Sequence, residues 1–131
     1  MGRQDLISDF VNRRVWAVVG ASSDPRKFGY QVFRSLRDAG YTVYPVNPKG
    51  GELEGSTVYR SLADLPRDTE VIDLVVPPAV TEQVVREAQE LGLTRVWMQP
   101  GAESEAAVSY CQEHGMEVVE SACAMVWKRS W

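Results

Sequence analysis

Histidine and cysteine are scarce in this chain, and their scarcity removes several chemistries at once. One histidine, His114, and two cysteines, Cys111 and Cys123, stand among 131 residues. A structural zinc site needs about four such ligands, so no metal centre is predicted. A disulfide scaffold of this size would carry more cysteines, so both are read as reduced thiols and the chain as cytoplasmic. A serine hydrolase needs a base beside its nucleophile, and His114 is badly placed to serve Ser22 or Ser23. It sits at a predicted helix end beside Gly115, where its expected role is to cap the helix. Long apolar runs are missing too. None approaches the roughly 20 residues that span a bilayer, so no membrane association is expected. The opening MGRQDLISDF carries acids and no apolar centre, unlike a secretory signal. With 18 acids against 14 Lys and Arg, the net charge of −4 gives no basis for nucleic-acid binding. An anionic ligand would need a local arrangement of cations and backbone dipoles.

What is present is ordinary globular composition, with 44% hydrophobic and 24% charged residues. The length suits one domain across residues 1–131, large enough to fold on its own core. Short apolar runs alternate with helical patterns. Arg14–Val19, Tyr41–Val46, Val71–Val76 and Arg95–Met98 read as strands covered on both faces, and Met116–Val119 as a shorter one. Between them, Val32, Phe33, Leu36 and Ala39 share a helical face. So do Val80, Val84, Val85, Ala88 and Leu91, and again Ala106, Ala107, Tyr110 and Cys111. Gly40, Gly92 and Gly115 follow these patterns, as glycine does where a helix ends in a left-handed residue.

The alternation predicts an α/β, Rossmann-like, doubly wound sheet of five to six strands, mostly parallel, with helices on both faces. Leu6, Ile7, Phe10 and Val11 suggest an extra N-terminal helix. The stretch from Gly50 to Arg60 breaks the pattern, with a short edge strand expected near Thr57-Val58-Tyr59 and a helical turn over Ser61–Leu65.

In such folds ligands bind beyond the carboxyl ends of the strands, where the strand order reverses. Four segments should converge there. The first is Gly20-Ala21-Ser22-Ser23-Asp24-Pro25-Arg26-Lys27-Phe28-Gly29, between a strand and a helix that begins near Phe28 or Gly29. Small residues let backbone approach a ligand, and a helix start offers free N–H groups and a positive dipole end, which suit phosphate. Ser22 and Ser23 add hydroxyls, Arg26 and Lys27 charge. Both common phosphate fingerprints fail here. Ser22 stands where a dinucleotide motif has its second glycine, and Pro25 where a P-loop has its second.

The second segment, Asn47-Pro48-Lys49, follows a strand whose tip carries no acid. An acid at that tip holds ribose hydroxyls in NAD-binding folds. A lysine instead favours a ribose bearing phosphate, as in coenzyme A or NADP. The third segment, Val76 with Pro77-Pro78, offers an apolar ledge without amide donors. The fourth, Gln99-Pro100-Gly101, precedes a helix and could add amide contacts. Each segment alone is compatible with an ordinary turn.

Taken in order, the four segments resemble the coenzyme A-binding domain family. That domain occurs alone in many bacterial proteins and as the N-terminal domain of the succinyl-CoA synthetase α subunit. The resemblance rests on Val-Val-Gly-Ala-Ser at 18–22, Tyr-Pro-Val-Asn-Pro-Lys at 44–49, Leu-Val-Val-Pro-Pro at 74–78 and Trp-Met-Gln-Pro-Gly at 97–101, and runs from about Arg14 to Trp127. It implies that coenzyme A, or an acyl-CoA, is held by residues 20–28, 47–49, 76–78 and 99–101. In the synthetase, coenzyme A contacts follow the first strand, where Ser22, Ser23, Asp24 and Pro25 stand here. A lysine after the second strand is matched by Lys49. The phosphorylated histidine and the nucleotide-grasping subunit of the synthetase lie outside this domain. A binder rather than a catalyst is therefore expected.

Two further readings stay open, an NAD(P)-dependent enzyme or sensor and a regulatory subunit with a vestigial site. Cys123, just beyond the last strand, falls near the expected ligand edge, where it could meet the coenzyme thiol or simply be buried. Trp16 and Trp97 read as core. Trp127 and Trp131 could cover an interface with a second copy or a partner protein.

Overall fold

The computed structural model describes residues 2–131. In chain order the elements are α1 (Arg3–Val11), β1 (Val15–Val19), α2 (Phe28–Asp38), β2 (Thr42–Val46), β3 (Glu52–Leu53), β4 (Ser56–Thr57), a 3-10 turn (Leu62–Asp64), β5 (Val71–Leu74), α3 (Pro78–Glu90), β6 (Arg95–Met98), α4 (Glu105–Glu113), β7 (Glu117–Glu120) and α5 (Ala124–Trp127). Five strands form one sheet in the order β2-β1-β5-β6-β7, and every pairing in it is parallel. The expected Rossmann-like sheet is thus present, and it is wholly rather than mostly parallel.

The alternation of side chains along each strand divides the core in two. Trp16, Val18, Val71, Trp97 and Val119 pack with Ile7 and Phe10 of α1, Val32, Phe33 and Leu36 of α2 and Ala124 of α5. Ala17, Ile72, Leu74, Val96 and Met98 pack with Val84, Val85 and Ala88 of α3 and Ala107 and Cys111 of α4. Period-two strands meeting helical stripes on both sides give this three-layer arrangement. Trp16 and Trp97 are fully buried, their ring centroids 5.5 Å apart. The Trp97 indole donates to the Ala122 carbonyl at 2.8 Å.

Three sequence expectations need adjustment. The edge strand near residue 57 is a two-residue hairpin, β3 against β4, and only Tyr59 joins the main sheet, through a parallel bridge to Val46. Val80 and Leu91 leave the buried face of α3. They are 38% and 47% exposed, because Val80 lies in the first turn and Leu91 at the cap. Ala106 is exposed on α4. His114 occupies the C-cap of α4, its Nδ1 2.8 Å from the Tyr110 carbonyl.

The sheet order sets the location of the site. From β1 the chain goes through α2 to β2 on one side, and β5 then pairs on the other side of β1. The connections leaving β1 and β5 diverge, which opens a crevice at their carboxyl tips.

Candidate functional site

The crevice begins with a glycine that no other residue could replace. Gly20 follows β1 at φ +95°, and a Cβ there would lie 2.1 Å from the Val75 carbonyl oxygen. Gly29, the second residue of α2, is as constrained: its Cβ would lie 2.0 Å from the Gly20 carbonyl oxygen. The two glycines press the start of α2 against the tip of β1 and the chain leaving β5. Lys27 is the N-cap of α2 and offers no side-chain cap. Among the described residues, the amides of Phe28, Gly29 and Tyr30 have no protein acceptor. Free donors at the positive end of an 11-residue helix are what an anion requires.

Asn47 fastens the second segment to the first. Its Nδ2 donates to the Ala21 carbonyl at 2.9 Å, and its Oδ1 accepts the Lys49 amide at 2.9 Å. The first bond joins the tips of β1 and β2, and the second folds the backbone so that Lys49 stands at their mouth. A cavity of about 130 Å³ results, lined by Ala21, Ser22, Ser23, Asn47, Lys49, Gly50, Glu52, Leu53 and Val58. The loop after β1 and the loop after β2 therefore share one polar depression.

Beside it lies a larger and more apolar slot of about 380 Å³. Val19, Val46, Leu62, Val76, Val80 and Val84 form its walls, and Arg60, Gln83 and Glu87 stand among its polar lining groups. Exposed Val80 thus has a place in the slot. A third depression of about 230 Å³, between the tips of β5 and β6, is lined by Val75, Val76, Pro77, Pro100, Gly101 and Ala102. Val76 lines both of these last two spaces, and Pro77 the third depression alone. Pro77 is the N-cap of α3 and Pro78 its first residue, so the pair also starts a helix. Two larger depressions lie elsewhere. One is at the amino ends of β5 and β6, around Leu65 and Leu93, and the other at the end of α2 beside Arg129. The first shares Leu62 with the apolar slot but is otherwise lined by residues at the amino ends of the strands, so size alone does not mark the site.

Several side chains sit otherwise than their positions suggested. Arg26 turns back onto Asp24, donating from Nε at 3.1 Å and from Nη2 at 3.0 Å. The Arg26 guanidinium holds the Asp24 carboxyl below its ordinary range. This pairing leaves Lys27 as the unpaired cation of the loop. Gln99 is fully buried: its Nε2 donates to both oxygens of Asp73, at 2.9 and 3.0 Å, and its Oε1 accepts the Ala124 amide at 3.2 Å. The Gly101 amide, expected to be free, donates to Glu103 at 2.8 Å. At β6 only Pro100 and Gly101 remain open to the crevice. Cys123 is half-buried as the N-cap of α5, at the same end of the sheet. Cys111 is core, and burial pushes its thiol up to about 11. No periodicity points to Arg60, Gln83 or Glu87, which a bridge and a helix face bring to the slot. Among the described residues no cluster of His, Cys, Asp or Glu could hold a metal, and no helix is long and apolar enough to cross a membrane.

A parallel sheet with a glycine-lined switch point, free helix-start amides and a lysine across the crevice defines a Rossmann-like domain with the features of a nucleotide-cofactor site. The chain belongs to the CoA binding domain family, whose model matches residues 14–129. It is 31% identical over 129 residues to the alpha subunit of the ADP-forming acetate–CoA ligase II of Pyrococcus furiosus, which covers 90% of this chain and 28% of that one. The chain thus spans under a third of that ligase subunit's length. Small proteins match nearly end to end. A conserved hypothetical protein of P. furiosus has a TM-score of 0.84 and 45% identity, covering 86% of this chain and 97% of that one. A Thermus thermophilus protein has a TM-score of 0.85 and 34% identity, covering 97% and 96%.

Proposed function

We propose that this domain binds coenzyme A, free or acylated, as a carrier or sensor module without catalysis of its own. The observation that carries the reading is the shared polar cavity, in which Ser22 and Ser23 of one loop face the same space as Lys49 of the next. Diphosphate oxygens would accept from the α2 amides and the serine hydroxyls, helped by Lys27. The adenine would enter the apolar slot. There Glu87 and Gln83, both exposed at the rim of the slot, suit its amino and ring nitrogens, and the Glu87 carboxylate repels phosphate. A 3′-phosphate would then meet Lys49, and the pantetheine arm would pass over Pro77 towards Pro100 and Gly101. The absence of an acid at the tip of β2 favours this ligand over NAD.

Lys49→Ala tests the assignment. Losing a charged hydrogen bond costs about tenfold or more in affinity. Titration calorimetry should therefore find coenzyme A weakened by about tenfold and dephospho-coenzyme A nearly unchanged. Equal weakening of both ligands would reject the phosphate contact. Absence of any binding by the unmodified protein at millimolar coenzyme A would reject the function.

A further inference from the structure

Arg60 is held in place by backbone pairing at the edge of the sheet. The Asn47 amide donates to the Tyr59 carbonyl and the Tyr59 amide to the Pro45 carbonyl, both at 2.9 Å, which extends the bridge between Val46 and Tyr59. The Arg60 side chain then folds back over Gly50. A Cβ on Gly50 would lie 2.8 Å from Arg60 Nε and 3.3 Å from Cζ, so the glycine makes room for the guanidinium. Gly50 closes the turn begun at Asn47, its amide donating to the Asn47 carbonyl at 2.9 Å, with φ +65°. This turn is the ridge between the polar cavity and the apolar slot: Asn47 lines both, Lys49 the first and Arg60 the second.

Neither cation has a direct carboxylate partner: Glu52 lines the polar cavity with Lys49 and Glu87 the slot with Arg60, but neither acid pairs with its cation. Arg13, Arg26, Arg34, Arg37 and Arg95 all pair with carboxylates, whereas among the described residues the side chains of Lys49 and Arg60 make no hydrogen bond or ion pair. Two unpaired charges on either side of one turn repel, and no hydrogen bond or ion pair of their side chains offsets that. A dianionic group over the ridge would.

We propose that Arg60 is a second phosphate-reading residue, which together with Lys49 selects ligands whose ribose carries a phosphate monoester. The assignment rests on the coenzyme A reading and adds to it a specificity determinant from outside the four segments. A guanidinium presents paired donors to phosphate oxygens, whereas an ammonium acts as a point charge, so the two groups are complementary.

Calorimetry of the full chain with coenzyme A and dephospho-coenzyme A decides the matter. Arg60→Gln should weaken coenzyme A about tenfold and dephospho-coenzyme A less than twofold. Arg60→Lys should retain part of the preference, and the Lys49→Gln, Arg60→Gln double variant should bind the two ligands alike. If Arg60→Gln weakens both ligands equally, the guanidinium stacks on the base and the proposal is overturned. It is overturned equally if neither affinity changes while the unmodified protein binds. If the unmodified protein binds neither ligand, the coenzyme A reading fails first and the role of Arg60 with it.

Discussion

Asp73 should make this protein less stable as pH rises through neutrality, and Asp73→Asn should remove that dependence. The residue is wholly buried on β5, in register between Val18 and Trp97, with no cation against it. Burial pushes its carboxyl up to about 8, and the Gln99 amide offsets this only in part. In the unfolded chain the same group titrates near 3.9. Between these values the folded state holds a proton that the unfolded state has lost, so stability falls with rising pH. The limiting slope is about 1.4 kcal/mol per pH unit. The benefit of the neutral carboxyl is complete below about pH 4 and is lost by about pH 8. Across that window the loss is of order 5 kcal/mol, a large share of the 5–15 kcal/mol typical of a domain. Asn keeps the acceptor for Gln99 and cannot ionise. Urea unfolding of both proteins at pH 5, 6, 7 and 8 should show the gap between them changing in favour of the variant by about 1.4 kcal/mol per unit, and levelling off above pH 8. Parallel profiles for the two proteins would refute the argument.

Gly29→Ala should cost about 3 kcal/mol or more, because its Cβ would meet the Gly20 carbonyl at 2.0 Å and force α2 away from β1. Thermal melts should show that loss together with disappearance of any coenzyme A-induced stabilisation, and a melting point within two degrees of the parent would contradict it. Ser104→Ala removes the hydroxyl that accepts the Ala107 amide at 3.3 Å and donates to Glu82 at 2.5 Å. A loss of about 1 kcal/mol is expected in urea titrations, with coenzyme A affinity unchanged, since α4 starts away from the polar cavity.

The elements were legible because their signals are local. Val15–Val19 and Val71–Leu74 are continuous apolar runs, and the stripe of Val32, Phe33 and Leu36 repeats at helical spacing, so strand, helix and the parallel fold follow from periodicity. The four loops were legible for the same reason: a strand tip in a parallel sheet is a site by topology. Side-chain direction at those tips was not. Gln99 lies next to the last residue of β6, and which way it turns depends on the register that sets Trp97 opposite Asp73 and so leaves Gln99 two residues on, within reach of that carboxyl. The pairing of Arg26 with Asp24 competes with any ligand, and spacing alone cannot weigh the two. Arg60 reaches the slot through a bridge to Val46, a contact between distant parts of the chain that no periodicity announces. Asp73 did leave a signal, a lone acid inside an apolar strand, where a charge must be neutral or paired.

A net negative charge is no obstacle to the proposed polyanionic ligand, because what counts is where the charges lie. Glu82, Glu87, Glu90, Glu105 and Glu113 belong to α3 and α4, on one face of the sheet, against Arg86 alone. Acids on the other face are largely matched: Asp9 by Arg13, Asp24 by Arg26 and Asp38 by Arg34 and Arg37. Exposed charges are screened beyond a Debye length of about 8 Å, so a bound phosphate responds to its immediate neighbours and little to the total of −4. Around the crevice those neighbours include the unpaired Lys27, Lys49 and Arg60 and the open amides of α2, with Glu52 beside the polar cavity and Glu87 in the apolar slot as the opposing groups. A ligand that puts its phosphates on the cationic ridge and its uncharged base beside Glu87 satisfies both sets. One with the opposite polarity meets repulsion at each end.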